Sequence, residues 1–282
     1  MDINYLGSDI LKPLSDSEFQ KFREYIKQKL GINLSEEKRS LVFSRLRPIV
    51  AAKNIDNFTD YFKFVISDQS GKALTEMINR ITTNHTYFMR ETDHFDHLRD
   101  KALPEIFETF SSQKDMRLWC AASSSGEEPY TLQMIIEDFF KDRTPKWNTT
   151  SLATDISASV LNKAIHGVYS NEGVDELPAA WQKAYFKKFD DDNSIIVDNI
   201  KSKIMFRKLN LMDEPFPFKK KFHIIFCRNV MIYFDEATKN NLIRRMYDIL
   251  EQGGYLYIGH SETIGRANEG FKYIMPAVYK KV

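Results

Sequence analysis

Cysteine is nearly absent: the chain of 282 residues holds two, Cys120 and Cys227. Both stand inside apolar stretches, "LWCAA" and "IIFCRN". That excludes a disulfide framework and predicts buried, reduced thiols in a cytoplasmic protein. An excess of charge is also missing, because 40 Lys and Arg face 39 Asp and Glu. The molecule as a whole therefore has no electrostatic attraction for nucleic acid, and any basic role must come from a local patch. No apolar run approaches the roughly 20 residues that span a bilayer. The first ten residues, "MDINYLGSDI", lack the basic start and apolar core of a secretory signal. No membrane insertion is expected. The G-x-G-x-x-G of a dinucleotide loop is missing as well, which argues against a nicotinamide-dependent dehydrogenase.

What is present divides in two. Residues 1–82 read as an all-helical domain. Ser15 with Glu18 forms a capping box, Phe19, Phe22, Tyr25, Ile26 and Leu30 follow at helical spacing, and Gly31 stands at a C-terminal cap. Ser35 opens a second helix with an apolar stripe of Leu41, Val42, Leu46, Ile49 and Val50. That helix is basic, with Lys38, Arg39, Arg45 and Arg47, which suits either a solvated face or a docking patch for an acidic partner. "NFTDYFKFVIS" and "KALTEMINRIT" read as two further short helices.

From Met116 the pattern alternates. Strands are predicted at Met116–Ala122, Ser151–Ile156, Lys203–Leu209, His223–Asn229 and Tyr255–Gly259. Helices are predicted at about Pro129–Lys141, Ala158–His166 and Glu236–Gln252, the last stopped by Gly253 and Gly254. Alternation of near-continuous apolar strands with helices is the signature of an α/β fold with a doubly wound, Rossmann-like sheet. One stretch, about 169–202, breaks the rhythm and reads as a short helix followed by a small antiparallel β insertion. The tail "FKYIMPAVYKKV" suits a final antiparallel strand or hairpin.

The stretch "WCAASSSGEEPY", Trp119 to Tyr130, has the form of a strand, a tight loop and a helix start. In a doubly wound sheet the ligand lies at the carboxyl ends of the strands. Ala121 to Gly126 are small enough to let a ligand approach the backbone. Glu127 and Glu128 suit the positive end of a helix but would repel a phosphate. The next strand ends in Ala153-Thr-Asp155, where an acid can accept both hydroxyls of a ribose. A nucleoside carrying a cation and no phosphate meets these conditions, and S-adenosylmethionine is such a molecule.

The segments "RITTNHTYFMRETDHF", "WCAASSSGEEPYTLQM", "LATDISASVLNKAIHGVY", "FRKLNL", "FHIIFCRNVMIYFD" and "GGYLYIGHSE" stand in the order found in CheR-type chemotaxis receptor methyltransferases, and the chain resembles that family over nearly its whole length. The resemblance implies an S-adenosylmethionine-dependent methyltransferase domain over 83–282, acting on glutamate side chains of receptors. One departure is visible: Ala122 and Ser125 stand where the family loop often has a second glycine or a threonine. Carried over residue by residue, it implies cofactor contacts at Asn84, Thr86 and Arg90, with Arg90 on the cofactor carboxylate. It also implies Glu127 near the methionine ammonium, Asp155 on the ribose, Asn210 and Leu211 beside adenine, and Asn229 and Val230 near the methionyl end. Tyr233 would border the methyl-transfer site. It further implies docking of acidic helical receptor bundles on Lys38, Arg39, Arg45 and Arg47, a β insertion that in some relatives grips a receptor tail, and a monomer.

The reaction fits the residues. Glutamate, with an ordinary pKa of about 4.3, is ionised at neutral pH and needs no general base. It needs alignment with the methyl group and partial loss of water, and the motifs carry no His or Cys poised as a base. His85, His94 and His97 lie close together without matching Cys or carboxylate spacing, so no metal is expected. "GHSE", His260 to Glu262, reads as a strand-end loop. A non-catalytic S-adenosylmethionine sensor, or a methyltransferase with another substrate, remains the alternative.

Overall fold

The structure is a computed structural model that describes residues 11–82, 85–143, 146–265 and 269–282. The chain divides into two units, Met1–Thr83 and Asn84–Val282.

The first unit is built from helices at Asp16–Leu30, Arg39–Ala52, Phe58–Ser67 and Lys72–Ile81, with a 3-10 turn at Glu36–Lys38. The Ser15 side chain accepts from the Glu18 N–H, and the Glu18 carboxylate accepts from the Ser15 N–H at 3.0 Å, which closes the expected capping box. Phe19, Phe22, Ile26, Val42, Leu46, Val50, Phe58, Tyr61 and Met77 fill the core of this unit. Leu41, expected in the stripe, is instead exposed. Val42, Leu46, Ile49 and Val50 already share one face at helical spacing, and Leu41 lies a full residue step off it.

Among the described residues the second unit carries ten strands: β1 (Leu118–Ala121), β2 (Ser151–Asp155), β3 (Val168–Ser170), β4 (Phe186–Lys188), β5 (Asn193–Ile196), β6 (Ile204–Lys208), β7 (Phe222–Cys227), β8 (Leu250–Ile258), β9 (Phe271–Met275) and β10 (Val278–Lys281). Seven form one mixed sheet in the order β6-β2-β1-β7-β8-β10-β9. The first five are parallel neighbours, and β10 and β9 close the far edge as an antiparallel hairpin. The chain leaves β1 in one direction through β2 and β6, then returns to β7 on the other side of β1. The topological switch point therefore lies between β1 and β7.

Helices cover both faces. Cys120, Ala153, Phe226 and Tyr257 point into one core with Tyr130, Leu132 and Ile136 of the helix Glu127–Phe140. Trp119, Ala121, Ile225 and Cys227 point into the other with Leu242, Ile243 and Met246 of the helix Glu236–Asp248. Neighbouring residues on each strand alternate between the two cores, so β1 and β7 are buried throughout. Cys120 and Cys227 are free and buried.

The insertion is a separate three-stranded antiparallel sheet, β3-β5-β4, with helices at Asn171–Asp175 and Ala179–Tyr185 between its first two strands. The last helix stops at Asp248, four residues short of its expected end. Leu250 already pairs with Phe222, and Gly253 and Gly254 fall inside β8, where the pairing with β7 shifts register. Gly254 belongs there because an added Cβ would lie 2.9 Å from the His223 carbonyl. No helix among the described residues is long and apolar enough to cross a membrane.

Candidate functional site

The loop after β1 runs directly into the helix Glu127–Phe140, and it is wound tightly. Ala122 (φ 59°) and Ser124 (φ 49°) both adopt left-handed backbone, which L residues with a side chain rarely do. Gly126 (φ 103°) ends the loop; a Cβ there would lie 2.8 Å from the Ala164 Cβ and 2.7 Å from the Tyr169 hydroxyl. Gly126 combines positive φ with close contact against the helix Ala158–His166, which leaves no room for a side chain. Other bonds hold the loop from outside. The Ser124 N–H donates to Asp155 Oδ2 at 2.9 Å, the Ser123 N–H to the Thr154 carbonyl at 2.8 Å, and the Tyr169 hydroxyl to the Ser125 carbonyl at 2.8 Å.

Asp155, the last residue of β2, thus joins two strand ends. Its Oδ1 accepts the Ser157 N–H at 2.9 Å, while Oδ2 takes that of Ser124. Burial pushes its carboxyl above the ordinary range; the backbone N–H groups of Ser157, Ser124 and Ile156 oppose the shift.

The two glutamates of the helix start have different partners. Glu127 accepts from the Ser125 hydroxyl at 2.8 Å and lines a cavity of about 680 Å³ together with Thr86, Tyr87, Lys163 and Tyr169. Burial raises its pKa, opposed by its own N–H, by Ser125 and by the charge of Lys163. Glu128 instead meets Arg228, with its Oε2 3.1 Å from Arg228 Nη1, and accepts from the Cys120 thiol at 3.1 Å. Arg228 is almost fully buried and reaches Glu91 as well, at 3.2 Å. It also donates to the Arg90 carbonyl. The three charged side chains form a buried clasp that fastens the 85–91 segment to β7 and to the helix after β1.

Across the switch point, Asn229 (φ 56°) follows β7. Its side-chain amide donates to Glu91 Oε1 at 3.0 Å, and its N–H donates to Glu262 Oε2 at 3.1 Å. Glu262 also accepts the Gly259 N–H at 2.5 Å and the Ile232 N–H at 3.1 Å. Burial raises its pKa against these backbone donors. Gly259 lets the two chains close, since a Cβ there would lie 2.6 Å from the Asn229 amide nitrogen.

The remaining expected residues fall as follows. Asn84 lies outside the described residues. Arg90 donates to the His85 carbonyl at 2.8 Å and lies over the Tyr87 ring. Asn210 and Leu211 follow β6, next to β2, and the Leu209 N–H donates to the Asp155 carbonyl at 3.0 Å. Asn210 caps its own turn by accepting the Met212 N–H, and Leu211 is buried. Val230 packs partly buried against the second core, and Tyr233 ends the 3-10 turn Met231–Tyr233. The cavity gathers Thr86 and Glu127. Asp155 joins them through the loop, whereas Asn210, Leu211, Asn229 and Val230 stand at neighbouring strand ends and do not line it. In the helical unit Arg39 pairs with Asp16 and with Glu36 at 2.9 Å, and Arg45 donates to the Ile81 carbonyl at 2.7 Å, so both have partners within that unit. Arg47 is exposed.

Sequence reasoning missed Glu91, Arg228 and Glu262 as parts of this site. Arg228 and Glu262 stand inside quoted motifs, "FCRNV" and "GHSE", and a charged residue one step past an apolar strand is the signal that could have marked Arg228. His85, His94 and His97, near in sequence and not expected to hold a metal, have different partners. His97 meets the Tyr257 hydroxyl at 2.8 Å, and His94 turns toward Glu91 and His260.

Two half-buried carboxylates with raised pKa values, Glu127 facing a cavity and Asp155 at a strand end, suit a ligand that brings its own positive charge and hydroxyls. Comparison with known proteins bears on its identity. The family model "CheR methyltransferase, SAM binding domain" matches residues 84–279, and "CheR methyltransferase, all-alpha domain" matches residues 17–82. The chain is 44% identical to a chemotaxis protein methyltransferase of Borreliella burgdorferi, over 95% of each chain. It is 39% identical to a probable chemotaxis protein methyltransferase of Rhizobium etli, over 89% of this chain and 94% of the relative. It is 34% identical to a chemotaxis protein methyltransferase of Vibrio parahaemolyticus, over 93% and 94%. The chain belongs to the CheR methyltransferase family and carries that family's S-adenosylmethionine-binding domain.

Proposed function

We propose that this protein transfers a methyl group from S-adenosylmethionine to glutamate side chains of chemotaxis receptors, giving glutamyl methyl esters and S-adenosylhomocysteine. Family membership over nearly the whole chain carries the reading, and relatives named chemotaxis protein methyltransferases support the receptor as substrate. Bound S-adenosylmethionine supplies a sulfonium methyl group, which an ionised carboxylate can take by direct displacement without a general base.

The chain's own residues then have binding and orienting work. Asp155, with one backbone N–H on each oxygen, keeps acceptor capacity for a ribose. Glu127 faces the cavity and is the acid for the ammonium, while Glu128 is tied to Arg228. Thr86 and Arg90 lie on the segment held by the clasp and flank the methionyl part. Asn210 and Leu211 border adenine from the β6 side. Asn229 and Val230, fixed by Glu262, form the opposite wall, with Tyr233 beyond them. In the helical unit, Lys38, Arg39, Arg45 and Arg47 form the receptor-docking face; since Arg39 and Arg45 have acidic or carbonyl partners, Arg47 carries the largest share.

The test incubates the protein with labelled S-adenosylmethionine and membranes bearing chemoreceptors. Label released as methanol by mild alkali supports glutamyl esters. Alkali-stable label, or no incorporation despite cofactor binding, overturns the reading.

A further inference from the structure

His94 is fully buried, and its Nδ1 has no hydrogen-bond partner. Its Nε2 lies 3.3 Å from the Pro276 carbonyl, which can only accept. The proton therefore sits on Nε2, and Nδ1 presents a lone pair. That lone pair faces Glu91 Oε2 at 3.5 Å. Glu91 Oε2 already takes the Arg228 guanidinium and the His260 N–H, each at 3.2 Å, so His94 Nδ1 is the atom left buried without a partner, and a cation beside it would relieve that.

A third donor stands at the same spot. The His260 ring packs edge-on to His94, with centroids 4.7 Å apart, and its Nε2 bonds Asp93 Oδ2 at 3.1 Å. A carboxylate on Nε2–H leaves Nδ1 as the free donor. One ligand atom each from Glu91, His94 and His260 lie within 4.8 Å of one another. Outer partners of this kind, a backbone carbonyl on one imidazole and a carboxylate on the other, fix the tautomer of metal-bound histidines. Charge agrees. Glu91 and Glu128 share the guanidinium of Arg228, Asp93 adds a third negative charge through His260, and a divalent ion would balance the group.

We propose that Glu91, His94 and His260 form a binding site for a divalent transition-metal ion of the zinc class at the end of β8. Two imidazoles and one carboxylate select such an ion over magnesium or calcium, which prefer all-oxygen sites. Bond lengths of about 2.0–2.2 Å require the three side chains to draw together by a small contraction. His260 is half-exposed and gives the ion an entry from solvent. Bound there, the ion ties the left-handed turn at Glu91 (φ 60°) to the start of the loop that carries Glu262. The group differs from the trio of histidines near in sequence, of which only His94 takes part.

The test uses the full chain, stripped of metal with a chelator and titrated with cobalt(II) as a spectroscopic stand-in for zinc. The expected result is visible d–d absorption that saturates at one ion per chain and disappears on adding zinc. His260→Asn, at a half-exposed position, should weaken cobalt binding at least tenfold, and Asp93→Asn by about tenfold. Zinc should raise the melting temperature of the unaltered protein and leave that of His260→Asn unchanged. Absence of saturable absorption at millimolar cobalt overturns the proposal. So does unchanged affinity in His260→Asn, which would place the ion elsewhere, and so does equal stabilisation by magnesium.

Discussion

Replacing Asp155 by Asn gives a sharp test of the cofactor site. The carboxylate accepts one backbone N–H on each oxygen, from Ser124 and from Ser157. An ionised carboxylate has about four acceptor positions, so two remain for a vicinal diol. Asp155→Asn converts one oxygen into an NH2 donor. That group must oppose either the Ser124 or the Ser157 N–H, and it can offer only a donor to one hydroxyl. One charge-assisted hydrogen bond is lost, at about 1.5–3 kcal/mol, and the other loses its charge. The expected weakening is about 2–3 kcal/mol, or roughly 30- to 150-fold in Kd for S-adenosylhomocysteine. Calorimetry measures it. A parallel titration with an analogue lacking both ribose hydroxyls separates direct recognition from a displaced loop. On the unaltered protein the analogue should lose a similar factor, whereas Asp155→Asn should hardly distinguish the two ligands. If the variant still discriminates as strongly, the hydroxyls are read elsewhere and the placement of the ribose is wrong.

Cofactor affinity should fall on acidification, by up to tenfold per pH unit for each proton taken up, because the ionised form of Glu127 is the one that attracts an ammonium and burial places its pKa above the usual carboxylate range. Glu127→Gln should remove one proton's share of that slope between pH 7.5 and 5; an equally steep variant counts against Glu127. Protein stability should also fall in acid through His223, whose Nδ1 accepts the Arg117 N–H at 3.0 Å and whose pKa is pushed down to about 4 by burial and by the Arg117 guanidinium. The neutral ring is required, so this contribution is complete above about pH 6.5 and is lost as pH falls from there toward 4, amounting to about 3 kcal/mol at 1.36 kcal/mol per pH unit. The unfolding free energy of His223→Gln, from urea titrations, should be less acid-sensitive by that amount, and identical pH profiles would refute it. Arg228→Met should cost about 3–5 kcal/mol, since it strands Glu91 and Glu128 without their shared cation; a loss below about 1 kcal/mol in urea unfolding would show that the clasp is slack.

The sheet was legible because its parallel strands are short apolar runs, and the loop after β1 because small residues between a strand and an acidic helix start are rare together. Asp155 could be singled out because it ends its own strand. Glu127 was picked over Glu128 only through the family resemblance, because the difference between them depends on Arg228, a hundred residues further along. Glu91 meets Asn229 across 138 positions, and Glu262 meets Asn229 across 33. No local periodicity encodes such pairs. The overlong helix at 236–252 has a local cause: Ile249 and Leu250 continue its apolar spacing, and only pairing with Phe222 draws Leu250 into the sheet.

Ala122 and Ser124 after β1, Asn229 after β7, and Met89 and Glu91 on the segment bonded to Asn229 all hold left-handed backbone, although none is glycine. Each such residue costs on the order of 1 kcal/mol, and none would keep that shape alone. The arrangement is therefore rigid by enforcement, held by Asp155 at Ser124, by Arg228 at Glu91 and by Glu262 at Asn229. Its vulnerability follows from this. Damage to a supporting contact would relax these turns and blur the pocket at a free-energy cost far below that of unfolding. A variant of this kind would remain folded by far-ultraviolet circular dichroism while losing its grip on the cofactor. Among substitutions at the five positions, β-branched residues would be the least tolerated, and glycine would keep the shape while making the unfolded chain more mobile.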